Sequence, residues 1–348
     1  MQIRIRAWPG RFLIVDEGPG LSGSSFGGTV RWLTKLGVGE ARITILASWR
    51  PLAAQLASPW ARAKWDFWQI ITAAPLPGLP GREIGDGNWR AVFPRWAPVW
   101  GEHERRKILL PDGKIIAKFA GYGPYAADVR ARARALACAG WGPDVVEGLG
   151  EGWIGYRRLH AVATAPDRAW AEIAGRYLAW LAANFRVGYG PPTVEMLAMM
   201  AANLGARTAK NAPDGPVLAL DGRQLPVKWI CTAAGWRKLD GTDHGDDPFF
   251  PGPADVAWDL AALAVEFPPA LATQARCTYE RVSGDRGCGL ARRIAWYGQA
   301  YLAFRQGYCQ LAAQRTRGRD ALAFRLLTQR YALMLPKSRQ RQTPQSDA

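Results

Sequence analysis

The chain has little of what metal and redox chemistry usually uses: three histidines and five cysteines in 348 residues, with no Cys-x-x-Cys pair. The common zinc-site spacings are therefore excluded. Cys138, Cys231, Cys277, Cys288 and Cys309 lie far apart and are odd in number, so reduced, packed thiols are expected and not a disulfide framework. No apolar run reaches the roughly 18 residues of a membrane helix. Met1-Gln-Ile-Arg-Ile-Arg6 has no apolar stretch after its charges, so no secretory signal is visible. The expectation is a cytoplasmic protein with no membrane partner.

Acids are scarce as well: 29 Asp and Glu face 45 Lys and Arg, a formal net charge of +16. Such an excess invites a nucleic-acid reading. Its distribution argues against one. The bases, mostly Arg, are spread through apolar helical patterns and set beside acids, as in Glu104-Arg105-Arg106, and only Arg315 to Arg341 is locally enriched. Attraction to phosphate-bearing small ligands fits the charge better. With 49% hydrophobic and 21% charged residues the chain is a folded one, and its length suggests about two domains.

Arg11-Phe-Leu-Ile-Val-Asp16 reads as a buried strand, Ser24 to Leu36 as a helix stopped at Gly37, Ala41 to Ala47 as a second strand and Phe67 to Thr72 as a third. Strand, tight loop, helix, strand is the βαβ pattern of a parallel sheet. Pro75-Leu-Pro-Gly-Leu-Pro-Gly81 reads as a linker. Beyond it Ala91-Val-Phe93, Lys107-Ile-Leu-Leu110 and Lys114 to Phe119 read as strands around the turn Pro111-Asp-Gly113. Helical spacing then dominates: Ala126 to Ala139, Ala169 to Phe185, Thr193 to Ala206, Val256 to Phe267, Leu290 to Ala313 and Asp320 to Leu335. A short β segment, Val217 to Leu239, falls between the third and fourth. Trp170, Trp180, Trp258 and Trp296 sit at core spacing.

Two constellations carry chemistry. In Leu13-Ile-Val-Asp-Glu-Gly-Pro-Gly-Leu-Ser-Gly-Ser-Ser25, two carboxylates end a strand and a small-residue loop opens a helix. Backbone N–H groups of Ser22, Gly23, Ser24 and Ser25 at a helix N-terminus suit a phosphate, and Asp16 and Glu17 suit vicinal ribose hydroxyls. The stretch resembles the phosphoribosyl-diphosphate (PRPP) binding signature of type I phosphoribosyltransferases, with Gly18-Pro-Gly20 inserted. About ten residues precede its strand, so the resemblance implies a partial unit with a PRPP-like phosphosugar as ligand.

The second constellation runs through the rest of the chain. Lys118 lies in Ile-Ile-Ala-Lys-Phe119 after a hairpin. Leu136-Ala-Cys-Ala-Gly-Trp-Gly-Pro143 precedes Gly152-Trp-Ile-Gly-Tyr-Arg-Arg-Leu159. Arg237-Lys-Leu-Asp-Gly241 leads through Pro251-Gly-Pro253 to Asp255-Val-Ala-Trp-Asp-Leu-Ala261. In order and layout residues 86–335 resemble the aminoglycoside phosphotransferase and choline kinase-like branch of the protein-kinase fold. The resemblance implies that Lys118 holds nucleotide phosphates, that Asp240 binds magnesium and that Asp259 supports the catalytic loop. Asp243, His244, Asp246 and Asp247 crowd the same loop and could share the cation. Asp128 is the acid of the intervening helix. Leu218 to Trp229 takes the catalytic-loop position in either of two registers. With Asp221 as the catalytic acid, Pro226 stands at the asparagine; with Lys228 at the asparagine, Arg223 stands at the base.

The expected fold class is thus an α/β N-terminal partial parallel sheet unit plus an α+β two-lobed protein kinase-like domain. The expected boundaries are 1–85 for the phosphoribosyltransferase-like unit, 86–160 for the small β lobe, 161–335 for the helical lobe and 336–348 for a disordered tail. The function implied is a divergent phosphotransferase-like domain that binds a nucleotide or phosphorylated small molecule with Mg and ATP, and could phosphorylate a small-molecule hydroxyl. A pseudokinase-type nucleotide or phosphosugar sensor is the alternative.

Overall fold

The computed structural model describes residues 10–15, 23–47, 50–56, 58–72, 78–93, 95–204, 212–242, 250 and 252–335. The expected acids Asp16, Glu17, Asp243, Asp246 and Asp247, together with Ser22, His244 and the 336–348 tail, lie outside them. The chain divides into two compact units, Met1–Gly78 and Leu79–Ala348.

In the first unit β1 (Phe12–Val15), α1 (Ser24–Lys35), β2 (Ile43–Ala47), α2 (Pro59–Lys64) and β3 (Gln69–Thr72) follow one another. The three strands pair in parallel in the order β1-β2-β3, with Phe12 opposite Ile43 and Thr44 opposite Gln69. Phe26, Val30 and Leu33 share one face of α1 at helical spacing, and they bury with Ile43, Ile45 and Ala47 of the central strand. Gly37, at φ +89°, follows that helix in a conformation open to glycine. Ser58 caps α2 by accepting from the Ala61 amide at 3.3 Å. The third strand begins at Gln69 and not at Phe67, because Trp65–Phe67 forms a 3₁₀ turn whose Trp65 indole donates to the Pro51 carbonyl at 2.9 Å.

The second unit opens with β4 (Arg82–Glu83), β5 (Lys107–Leu109), β6 (Ile115–Phe119), α3 (Gly123–Cys138), β7 (Val145–Val146) and β8 (Trp153–Arg157). The strands form one antiparallel sheet in the order β4-β5-β6-β8-β7. The β5–β6 hairpin turns at Pro111-Asp-Gly113, where the Asp112 carboxylate accepts from the Lys114 amide at 2.9 Å and Gly113 takes φ +69°. Ala91-Val-Phe93 is not a strand. The segment forms a 3₁₀ turn at Asn88–Ala91, and Arg90 holds it by donating to the Ala97 carbonyl at 2.7 Å and 3.0 Å.

Then come α4 (Arg168–Asn184), β9 (Arg186–Gly190), α5 (Val194–Leu204), β10 (Gly215–Leu218), β11 (Trp229–Thr232), β12 (Gly235–Lys238), α6 (Ala257–Glu266), α7 (Pro269–Ser283), α8 (Gly287–Arg315) and α9 (Gly318–Met334). β9 pairs with β10 and β11 with β12, each antiparallel. α7 lies in a stretch to which the sequence patterns above assign no element; the proline at its first position is an ordinary helix start. Trp170, Tyr177, Trp229, Trp258 and Tyr301 are fully buried in one aromatic-rich core, with Trp170 stacked on Phe267 at 4.1 Å. All five cysteines are unpaired. Among the described residues no helix is long and apolar enough to cross a membrane.

Candidate functional site

Strand geometry sets up the site. β5 and β6 place Lys107 directly opposite Lys118, so both side chains leave the same face of the sheet. Like charges so placed repel unless anions intervene. Lys107 donates to Glu104 Oε1 at 2.9 Å. Lys118, buried at 7% exposure, pairs with Asp240 Oδ1 from the helical lobe.

Asp240 follows β12 with φ +61°, a left-handed backbone that aspartate tolerates better than most residues and that is common where function holds it. Gly241 must be glycine, since a Cβ there would meet the Tyr177 hydroxyl at 2.7 Å. The second oxygen of Asp240 is also taken. Pro226–Lys228 forms a 3₁₀ turn just before β11, and the Lys228 ammonium pairs with Asp240 Oδ2. The Leu239 amide, donating to the Lys228 carbonyl at 2.8 Å, fixes that turn against the start of the Asp240 loop.

Below this lies a second ion pair. Lys238 and Trp236 point inward on β12, at 2% and 4% exposure. The Lys238 ammonium reaches Asp221 Oδ2 at 2.8 Å and donates to Oδ1 at 3.0 Å. Tyr177 Oη donates to Asp221 Oδ2 at 2.6 Å. Burial and the Asp221 charge together push the Tyr177 phenol well above its usual range. Asp259 sits nearby with Oδ1 accepting from the Gly222 amide at 3.1 Å and Oδ2 buried without a hydrogen-bond partner. Burial, then the Asp221 charge, raise its carboxyl well above the ordinary range.

The structure thus brings Lys118 and Asp240 into contact, adds Lys228 and Lys107, and separates Asp221 from them in a sealed layer. Asp221, at 0% exposure with both oxygens engaged, has no open edge for an acceptor hydroxyl. Arg223 is half-buried over the Tyr308 ring at 5.2 Å. Asp128 lies on the exposed face of α3 and not against Lys118. In the first unit Gly23 starts α1 at φ +63° without a side-chain cap, and Ser25 is exposed on its first turn.

The connection between β4 and β5, Ile84 to Arg106, is tied to the end of α8 and the start of α9. Arg90 binds Asp320 through both guanidinium nitrogens, at 2.5 Å and 3.2 Å. The Val99 amide donates to the same carboxylate at 3.1 Å, and Glu102 pairs with Arg315 at 3.1 Å. Arg95 donates to the Pro226 carbonyl at 3.1 Å and also to Thr164, bracing the turn that carries Lys228.

The magnesium implied by the kinase-like resemblance can be tested against these donors. Magnesium demands near-octahedral oxygen ligands, yet both oxygens of Asp240 already face ammonium groups. Magnesium is held by one or two carboxylates together with water and ligand phosphates, so Asp240 is the described residue that decides the fit, and with both oxygens on ammonium groups it does not fit the ion.

No family model matches the sequence, and no curated protein matches it. Solved structures do. One is a choline/ethanolamine kinase family protein from Mesorhizobium loti, 17% identical, with 67% of this chain and 86% of that one covered at a TM-score of 0.46. A macrolide 2'-phosphotransferase from Brachybacterium faecium is 20% identical, with coverage of 65% and 88% and a TM-score of 0.41. A spectinomycin phosphotransferase in complex with ADP and its antibiotic is 10% identical, with coverage of 67% and 86% and a TM-score of 0.43.

Proposed function

We propose that residues 79–335 form a domain that binds a nucleotide or phosphorylated small molecule and does not transfer its phosphate. One observation carries the reading: the Asp240 carboxylate is held on one oxygen by Lys118 and on the other by Lys228. In a working phosphotransferase of the kinase kind the lysine grips phosphates, this aspartate grips the metal, and an asparagine supplies a second metal ligand. Here a lysine takes the asparagine's place in the register that leaves Arg223 at the base. A guanidinium cannot accept a proton. Asp221, the acid of the other register, is sealed by Lys238 and Tyr177.

For the first unit the reading remains a phosphosugar cradle of Asp16, Glu17, Ser22, Gly23, Ser24 and Ser25 for a PRPP-like ligand, supported by the parallel β1-β2-β3 sheet and the left-handed Gly23 at the helix start. The proposed setting is the cytoplasm.

Incubation with ATP labelled in its terminal phosphate, over a panel of amino sugars and amino alcohols, tests the account. ATP is expected to add RT ln(1 + [L]/Kd) to the unfolding free energy, read as a higher melting temperature, with no label reaching an acceptor. Label transfer that disappears in Asp240→Ala would overturn the non-catalytic reading and restore a phosphotransferase.

A further inference from the structure

We propose that the Lys107, Lys118 and Lys228 group around Asp240 binds a polyphosphate anion without any divalent cation, the Lys228 ammonium providing in place the positive charge that a metal ion would otherwise bring. The inference rests on the reading of this group as a phosphoryl-ligand site and specifies its chemistry.

The argument begins with what each side chain can offer. An asparagine at the position of Lys228 would present a carbonyl oxygen, which attracts a cation; lysine presents three donors, no acceptor and a full positive charge. With the Lys228 ammonium on Asp240 Oδ2 and the Lys118 ammonium on Oδ1, a divalent ion approaching Asp240 would have to displace both and then sit beside them. Coulomb repulsion opposes that, and it is strong in a site shielded from water. The side chains of Lys118, Asp240 and Lys228 are 9%, 16% and 21% exposed, so the group is largely shielded while part of each side chain reaches solvent.

Charge balance points the same way. Among the described residues that pair here, Lys107, Lys118 and Lys228 bring three positive charges and Glu104 and Asp240 two negative ones. The Lys107 ammonium is pushed below the usual range by burial, while Asp240 and Glu104 raise it by more than the smaller repulsion from Lys118 and Lys228 lowers it. An arriving chain of phosphates adds anionic oxygens for these ammonium groups. Lys107 and Lys118 reach it from the sheet and Lys228 from the helical lobe, so the oxygens meet ammonium groups on two sides through charge-assisted hydrogen bonds. Nucleoside di- and triphosphates and inorganic polyphosphate share this chemistry.

Calorimetric titration of the full chain with ATP, and separately with inorganic tripolyphosphate, in EDTA and then in excess magnesium, separates the possibilities. Magnesium neutralises part of the ligand's charge, so the wild-type chain is expected to bind at least as tightly in EDTA. Lys228→Asn is expected to lose about tenfold in EDTA and to recover in magnesium. Lys228→Met is expected to lose affinity in both buffers. Binding of ATP but not tripolyphosphate would mark the ligand as a nucleotide; equal binding would mark it by its phosphates alone, and both support the proposal. Wild-type affinity more than about tenfold weaker in EDTA would overturn cation independence and leave the phosphoryl-ligand reading standing. Failure of both ligands in both buffers would remove that reading and this inference with it. The wild-type arms decide the matter even where a Lys228 variant does not fold.

Discussion

Two lysine–aspartate systems meet at the end of β12, and they differ in what surrounds them. Lys238 turns inward to Asp221, and the two side chains are 1% and 0% exposed. Two residues on, Asp240 turns outward to Lys118 and Lys228 with part of each side chain left to solvent. The inner pair is closed chemically as well, since Tyr177 and the Arg223 amide occupy further positions on the Asp221 carboxylate. Identical side chains thus serve as a rivet in one place and as a ligand site in the other. Satisfied lone pairs and excluded water make the difference, not the residue types.

The sharpest way to break that comparison is to neutralise the inner acid. Asp221→Asn leaves Lys238 as a buried charge with no compensating anion, and is expected to cost about 3–5 kcal/mol of stability in urea unfolding. Asp259→Asn, in the same layer, is expected to cost less than about 1 kcal/mol, since burial already favours the uncharged acid there. Equal costs would mean that the two carboxylates carry the same charge and that Asp221 is not the rivet.

A smaller effect comes from Asp255, which is buried and lies 2.8 Å from the Arg293 Nε without a well-aligned hydrogen bond between them. Desolvation, only partly offset by the Ala257 amide and Arg293, pushes its carboxyl up to about 6. The folded state therefore keeps a proton that the unfolded chain releases near the ordinary value of about 3.9. This contribution is fully present below about pH 4 and is lost as pH rises through about 6. Asp255→Asn is expected to flatten the melting temperature across that window. A slope that persists in the variant would assign it to another group.

How far the sequence carries this picture depends on the range of each interaction. Lys118 and Asp240 each stand in a local pattern, a strand after a hairpin and a strand ending in Asp-Gly, so both were legible as candidates. Lys228 was legible only through the second register of the catalytic-loop stretch, and nothing in the sequence chose between the registers or announced its pairing with Asp240. Lys107 and Lys238 passed unnoticed because a lysine in a short strand normally points to solvent. Inward alternation of Trp236 with Lys238 was the signal available. The β4–β5 connection read as strand at Ala91-Val-Phe93 because its partners, Asp320 and Arg315, lie far along the chain. In the first unit the βαβ order was legible from period and turn residues alone, and the parallel sheet follows it.

Asp240→Asn gives the most direct test of whether that carboxylate restrains lysines or holds a metal. The sign of its effect on binding is decisive. Removing the charge takes away the Asp240 anion that Lys118 and Lys228 face, so tripolyphosphate titrated in EDTA is expected to bind several-fold more tightly, on the order of 1 kcal/mol. A loss of affinity, appearing only when magnesium is present, would contradict the account and make Asp240 a metal ligand.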